Sequence, residues 1–376
     1  MRKDERLGML PDPFLFRDGQ RVKSVADWKR RRAEIIEDTI GLEFDGMPPA
    51  PESIRVEPTH VWGKGKTSSY RIHCGTKEHP FTLCFYVYRA DLDGRLPVVL
   101  TGDLTYTANL CDEVIAEANR RGFTVVKFNR TELAPDLPDP RRECGINAVF
   151  PEHRFSAISA WAWGYHRVVD ALLTLDYVDP EHIAITGHSR GGKAALLEGA
   201  TDERIRYTCP NGSGTHGAAP YRFVQREAED SDFHDKNSEP LEFMMRAVAY
   251  WMGAGLGAYV GKEATLPHDM HFLKALIAPR CYLETNGYAD IWANPRGSSL
   301  AFLAAREVWR LLGAEERCAT FYREGGHRHS PADFAALFDF MEADLRGTPL
   351  PDSLTRTPYC DMEPLHEYRA PLGEIT

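Results

Sequence analysis

Three residues in this chain have the types and order that nucleophilic catalysis needs. The first is Ser189, in ITGHSRGGKAAL (185–196), between Gly187 and Gly191. G-x-S-x-G bends tightly from a strand into a helix, lifts the hydroxyl clear of the sheet edge and frees the next N–H, that of Arg190, for an oxyanion. The alternative is a packing turn whose serine caps the helix. The flanking IAIT and the alanine-rich stretch after it favour the nucleophile.

A serine hydroxyl needs a base, and the base an orienting acid. In this architecture the chain order is serine, acid, histidine. Asp290 follows an apolar stretch in CYLETNGYADIWANP, and His327 follows another in TFYREGGHRHSP. Asp290 is the expected acid, or else a turn carboxylate beside Asn294 and Pro295. Glu284 lies within the strand, and Glu324 points along its own. His327 is the expected base, with His329 as the alternative or as loop packing. The second oxyanion donor is expected in TGDLTYT, at the backbone N–H of Gly102 or Asp103; Asp103 could instead cap the next segment. PHDMHF gathers His268, Asp269 and His271, but without HExxH or a cysteine set. No metal and no cofactor are expected, and His268 and His271 should order their loop.

The elements that must carry these residues alternate. SSYRIHCG, FTLCFYVYR, LPVVLTGD, FTVVKFNR, IAIT, RIRYTCPNG, PRCYLETNG and CATFYREGG read as strands. ANLCDEVIAEANRRG, SAISAWAWGYHRVVDALLTLDYVDP (broken near Pro180), GKAALLEGA, SLAFLAAREVWRLLGA and SPADFAALFDFMEADLRG read as helices. Strand–helix–strand order predicts an α/β fold with a mostly parallel central sheet. Residues 1–60 form an arm with one helix, VADWKRRRAEIIEDTIGLEF, whose Trp28, Ile35 and Ile36 pack and whose arginines face solvent. Residues 61–349 form the catalytic domain, with a lid or pocket wall around 214–270 that includes the helical run LEFMMRAVAYWMG. Residues 350–376 are a tail.

A net charge of −10, with both signs interspersed, speaks against a nucleic-acid or anionic-membrane partner. No apolar run is long enough to span a bilayer. The eight cysteines, without CxxC, read as buried thiols. The first residues lack a signal-peptide core, so the default location is cytoplasmic, or secreted or periplasmic if a leader has been removed. The oligomeric state is open.

GHSRGGKAALLEGATDERI resembles the nucleophile region of the glucuronoyl esterases (carbohydrate esterase family 15) and their bacterial relatives, where serine is followed by arginine and, three residues later, lysine. LPDPFLFRDGQRVKSVADWKRRRAEI, HFLKALIAPR and DIWANPRGSSLAFLAAREVWRLLG are also similar, so the resemblance covers about 10 to 345. It implies an α/β-hydrolase fold, a three-layer sandwich, and a serine carboxylic-ester hydrolase acting on a carbohydrate ester. It makes Ser189 the nucleophile and His327 the base, sets Arg190 by the oxyanion, and points Lys193 at sugar hydroxyls. Trp292 would line the pocket, with His268 among the substrate-facing groups. Many members carry a glutamate as triad acid in a stretch like PQESG. Here TCPNGSG puts Gly212 in that place and Asn211 in the glutamine's, which forces the variant with Asp290 as acid. Tyr221 stands where a tryptophan is common. Arg222 and Arg296 either add to the pocket's field or pair with nearby acids. The rival readings are an acetyl esterase on carbohydrates, a peptidase-like amide hydrolase, and a catalytically degenerate carbohydrate- or partner-binding protein.

Overall fold

The computed structural model describes residues 4–63, 66–105, 110–137, 143–227 and 237–371. In chain order its strands are β1 Glu5–Arg6, β2 Arg55–Trp62, β3 Thr67–Gly75, β4 Pro80–Tyr88, β5 Leu96–Thr101, β6 Thr124–Phe128, β7 Val178–His188, β8 Tyr207–Asn211, β9 Phe223–Val224, β10 Cys281–Gly287 and β11 Cys318–Arg323. The helices are α1 Val25–Phe44, α2 Asp112–Arg120, α3 Ile146–Val149, α4 Ala157–Leu172, α5 Arg190–Thr201, α6 Leu241–Ala247, α7 His271–Ala275, α8 Pro295–Leu311, α9 Pro331–Arg346 and α10 Asp352–Thr355.

Nine strands form one sheet in the order β11-β10-β8-β7-β5-β6-β4-β3-β2. β11 through β6 run parallel, and β4, β3 and β2 continue antiparallel. The parallel strands are buried on both faces, which is why VVL, TVVKF and IAIT read as unbroken apolar runs. One core, with Trp161, Leu196 and Trp309, lies under α1, α4, α5 and α8; the other, with Val114, Phe338 and Met341, lies under α2 and α9. This is the three-layer α/β arrangement, and it carries all the C-terminal ends of the parallel strands to one edge.

α1 spans the expected residues, and Ser24 caps it by accepting the Asp27 N–H. Two of its three arginines depart from expectation. Arg31 is buried, and Arg32 donates to the carbonyls of Leu276 and Ala200, which end neighbouring helical segments. Two helix stops also differ. α4 ends at Leu172, well before Pro180, which lies inside β7. The run LEFMMRAVAYWMG is α6 followed by a 3-10 turn, Ala249–Trp251. β2 had no strand signal, because this outermost strand is largely exposed and contains Pro58. The eight cysteines are thiols, but only Cys74, Cys209, Cys281 and Cys318 are buried, and Cys360 is exposed. No described helix is long and apolar enough to cross a membrane. Within the 214–270 segment, residues 228–236 lie outside the described residues.

Candidate active site

Parallel register brings His188, Asn211, Thr285 and Phe321 into one row across β7, β8, β10 and β11. The chemistry-bearing residues lie just past that row. Ser189 follows at once, Asp290 is on the β10 exit, and His327 is on the β11 exit.

Ser189 has φ 55° and ψ −120°, a conformation L-residues avoid. Such a position costs roughly 1–3 kcal/mol and persists only where its surroundings hold it. Several contacts do so. The Ser189 N–H donates to Asn211 O at 2.9 Å, and the His188 N–H to Asp103 Oδ2 at 2.7 Å. A Cβ at Gly187 would meet Gly191 O at 2.4 Å, and one at Gly191 would meet Asp103 Oδ1 at 2.2 Å. Both glycines of GHSRG are therefore required by close approach.

His327 Nδ1 lies 2.8 Å from Asp290 Oδ2. Facing a carboxylate, Nδ1 carries the proton, so Nε2 keeps a lone pair for a hydroxyl. Asp290 is buried, and its Oδ1 accepts the Ala293 N–H at 3.3 Å. The His327 ring packs 4.4 Å from that of His188, the residue before the nucleophile. His188 Nδ1 is 2.6 Å from Asn211 Oδ1, while Asn211 Nδ2 donates to Thr285 Oγ1 at 2.8 Å. That polarity makes Nδ1–H the donor in His188. Burial, then the neighbouring His327, push the His188 pKa down to about 4, so the ring beside the base is neutral.

The competing acids and base stand elsewhere. Glu284 is fully buried with Lys274 at 2.6 Å and the Tyr282 hydroxyl at 2.8 Å. Glu324 is exposed. His329 stacks on Phe334 at 3.9 Å, and burial holds its pKa well below the usual range.

Several expected contacts require correction. The Gly102 N–H donates to the Tyr165 hydroxyl at 2.8 Å and the Asp103 N–H to Thr101 Oγ1 at 3.2 Å, so neither is offered to an oxyanion. Tyr106 and Thr107 of the same loop lie outside the described residues. Asp103 instead latches the elbow through its carboxylate, which also pairs with buried Arg130. Asn211 uses both ends of its amide on the protein, as above. Lys193 is buried, and its ammonium donates to Ser213 O at 2.6 Å and to Thr215 O, with Glu239 at 3.4 Å. Burial lowers its pKa. Tyr221 donates its hydroxyl to Glu43 at 2.8 Å, and His268 Nε2 lies 2.6 Å from the same carboxylate; both are buried. Arg222 pairs with Asp269, and Arg296 with Asp4 and Glu227.

Trp292 and Arg190 are each half-buried, held by contacts of their own. Trp292 follows Asp290 and meets Phe243 of α6 edge-on at 5.0 Å. Arg190 opens α5; its Nη1 donates to Asp136 Oδ2 at 2.9 Å, and its guanidinium lies 4.7 Å from the Trp251 ring centre. Glu43, Asp136, His188 and the carboxylate role of Asp103 were not anticipated. His188 alone had a signal, its place next to the serine.

The PHDMHF side chains diverge: His268 goes to Glu43, Asp269 to Arg222, and His271 Nε2 to Pro11 O. Among the described residues, His166, Glu198 and Asp202 cluster as metal ligands can. The two carboxylates face opposite ring nitrogens, at 3.0 and 3.3 Å. Burial works against charge on His166, but the carboxylates outweigh it and hold its pKa at about 9. The group reads as an imidazolium bridging two acids.

A strained serine at a strand-to-helix elbow and a histidine–aspartate pair on later strands of the same parallel sheet define a serine hydrolase of the α/β-hydrolase class. Residues 89–313 match the family model described as "Glucuronyl esterase, fungi". The chain is 30% identical to the 4-O-methyl-glucuronoyl methylesterase of Cerrena unicolor, over 85% of this chain and 65% of that protein. It is 29% identical to the enzyme of the same description from Schizophyllum commune, over 85% of this chain and 77% of that one. A solved structure, a carbohydrate esterase family 15 glucuronoyl esterase from Caldicellulosiruptor kristjansonii, superposes with a TM-score of 0.84 at 27% identity, covering 97% of both chains. The chain belongs to the glucuronoyl esterase family, and it is a serine esterase of that family.

Proposed function

We propose that this protein hydrolyses glucuronoyl esters through an acyl-enzyme on Ser189. The observation that carries the reading is the 2.8 Å pair of His327 and Asp290, reached from β11 and β10 at the edge where β7 delivers Ser189.

The chemistry follows from the protonation states. Asp290 fixes the Nδ1–H tautomer of His327 and stabilises the imidazolium that forms when Nε2 takes the Ser189 proton. The serine oxygen attacks the ester carbonyl at C6 of the uronate. The Arg190 N–H, at the start of α5, faces the developing oxyanion, and the positive end of the helix lies behind it. The imidazolium then protonates the leaving alcohol. Water, activated by the same histidine, releases the free uronate.

The sugar would lie against Trp292, which meets Phe243 of α6.

The experiment is a panel of methyl and benzyl glucuronate, acetylated xylan and short peptide amides. The reading expects kcat/KM for the glucuronate esters to exceed the others by at least about tenfold. Acetylated xylan as the best substrate would make this an acetyl esterase. No turnover at all, with no labelling of Ser189 by a fluorophosphonate, would make it a binding protein.

A further inference from the structure

The residue next to the nucleophile carries a positive charge, and the reaction creates a negative one beside it. Hydrolysis turns a neutral ester into a carboxylate, formed where the oxyanion was stabilised. An unpaired arginine there would hold the product more tightly than the substrate.

Arg190 has a counter-ion. Its Nη1 donates to Asp136 Oδ2 at 2.9 Å. Asp136 Oδ1 accepts the Tyr250 hydroxyl at 2.8 Å and Trp251 Nε1 at 3.1 Å. The Asp136 side chain is only 10% exposed. One carboxylate thus collects donors from the nucleophile helix and from the 3-10 turn of the 214–270 insertion. The Arg190 guanidinium meanwhile lies 4.7 Å from the centre of the Trp251 ring, held by the same turn. Among the described residues, one ionic and one aromatic partner hold this guanidinium.

We infer that Asp136 is a specificity-determining positioning residue: it holds Arg190 as an oriented donor of balanced charge, so that the site binds the uncharged ester in preference to its own carboxylate product. This rests on the reading that the substrate is a glucuronoyl ester. Asp136 touches no reacting atom and acts through Arg190. The balance is local, because a carboxylate at hydrogen-bond distance in a site of reduced dielectric cancels most of the field an incoming anion meets.

Calorimetry tests this without turnover, using glucuronate and its uncharged amide, glucuronamide, as probes. Asp136→Asn keeps the shape and an oxygen for Tyr250 and Trp251 but removes the charge. The expected result is a gain of about fivefold or more in the preference for glucuronate over glucuronamide. Asp136→Ser, a second uncharged variant, should move the ratio the same way and serves if the asparagine variant does not fold. Tyr250→Phe, which keeps the charge, should leave the ratio within about twofold. An unchanged or reduced ratio in both uncharged variants overturns the inference, as does an equal gain in Tyr250→Phe. Methyl glucuronate turnover by the unaltered protein is measured separately. Its absence would sink the functional reading, whereas the calorimetric ratio judges Asp136 alone.

Discussion

Gly212 leaves vacant the space that Asp290 needs. A Cβ at 212 would stand 3.0 Å from Asp290 Oδ2 and 3.6 Å from His327 Nδ1. This is the position where the family resemblance places a glutamate. A side chain leaving β8 there and one leaving the β10 exit converge on the same nitrogen of the base. The glycine and the aspartate are two halves of one arrangement.

Gly212→Ala should therefore injure catalysis more than folding. The methyl group crowds Oδ2, and φ of 48° costs an alanine about 1–2 kcal/mol. We expect kcat to fall at least about tenfold, with KM changing less. Steady-state kinetics beside a thermal melt checks it; an unchanged kcat would show that the carboxylate adapts.

Ser189→Gly should be more stable than Ser189→Ala. Both lack the nucleophile, but only glycine tolerates φ 55°, ψ −120° without strain. The expected difference is about 1 kcal/mol, read from denaturant midpoints. Equal stabilities would mean that the elbow stores no strain.

Asp103→Asn should loosen the nucleophile from behind. It leaves buried Arg130 without its anion and weakens the acceptor of the His188 N–H. Breaking a buried pair costs roughly 3–5 kcal/mol. We expect a clear loss of stability together with a lower kcat. A variant of unchanged stability would remove Asp103 from its place as the latch.

Acid should destabilise the fold through buried neutral histidines. Burial depresses His188 and His366 to about 4, below the roughly 6.5 of an unfolded chain. Between those values the unfolded chain binds more protons, so this contribution is complete above about pH 6.5 and is lost as pH falls toward 4. Melting temperature should drop across that window, and less in His366→Asn than in the unaltered protein. A flat profile down to pH 4 would contradict it.

Much of the fold could be read from the chain because buried parallel strands are continuous apolar runs and α2, α8 and α9 end at or beside glycine. β2 could not, since an exposed edge strand lacks that pattern. Arg31 and Arg32 looked like a solvent face, but Arg31 donates to Pro13 O and pairs with Glu34, and Arg32 donates to the Leu276 and Ala200 carbonyls at the ends of neighbouring helical segments. At the site, Ser189, Asp290 and His327 were legible because their order and spacing from strand ends are fixed by the architecture. Asp136 and the carboxylate role of Asp103 were not, because tertiary packing alone brings these loop carboxylates to the elbow. The Gly102 N–H failed as an oxyanion donor for the same reason, because Tyr165, far along the chain, takes it; the Asp103 N–H is taken locally by the Thr101 hydroxyl.

The acid is the point on which the account stands, and the most direct measurement is kcat on methyl glucuronate for Asp290→Asn with and without Gly212→Glu. The account predicts a loss of about 10³–10⁴ in the single variant, as expected when the histidine loses its orienting carboxylate. It predicts a partial return when glutamate is supplied from position 212. Full activity in Asp290→Asn alone would contradict it.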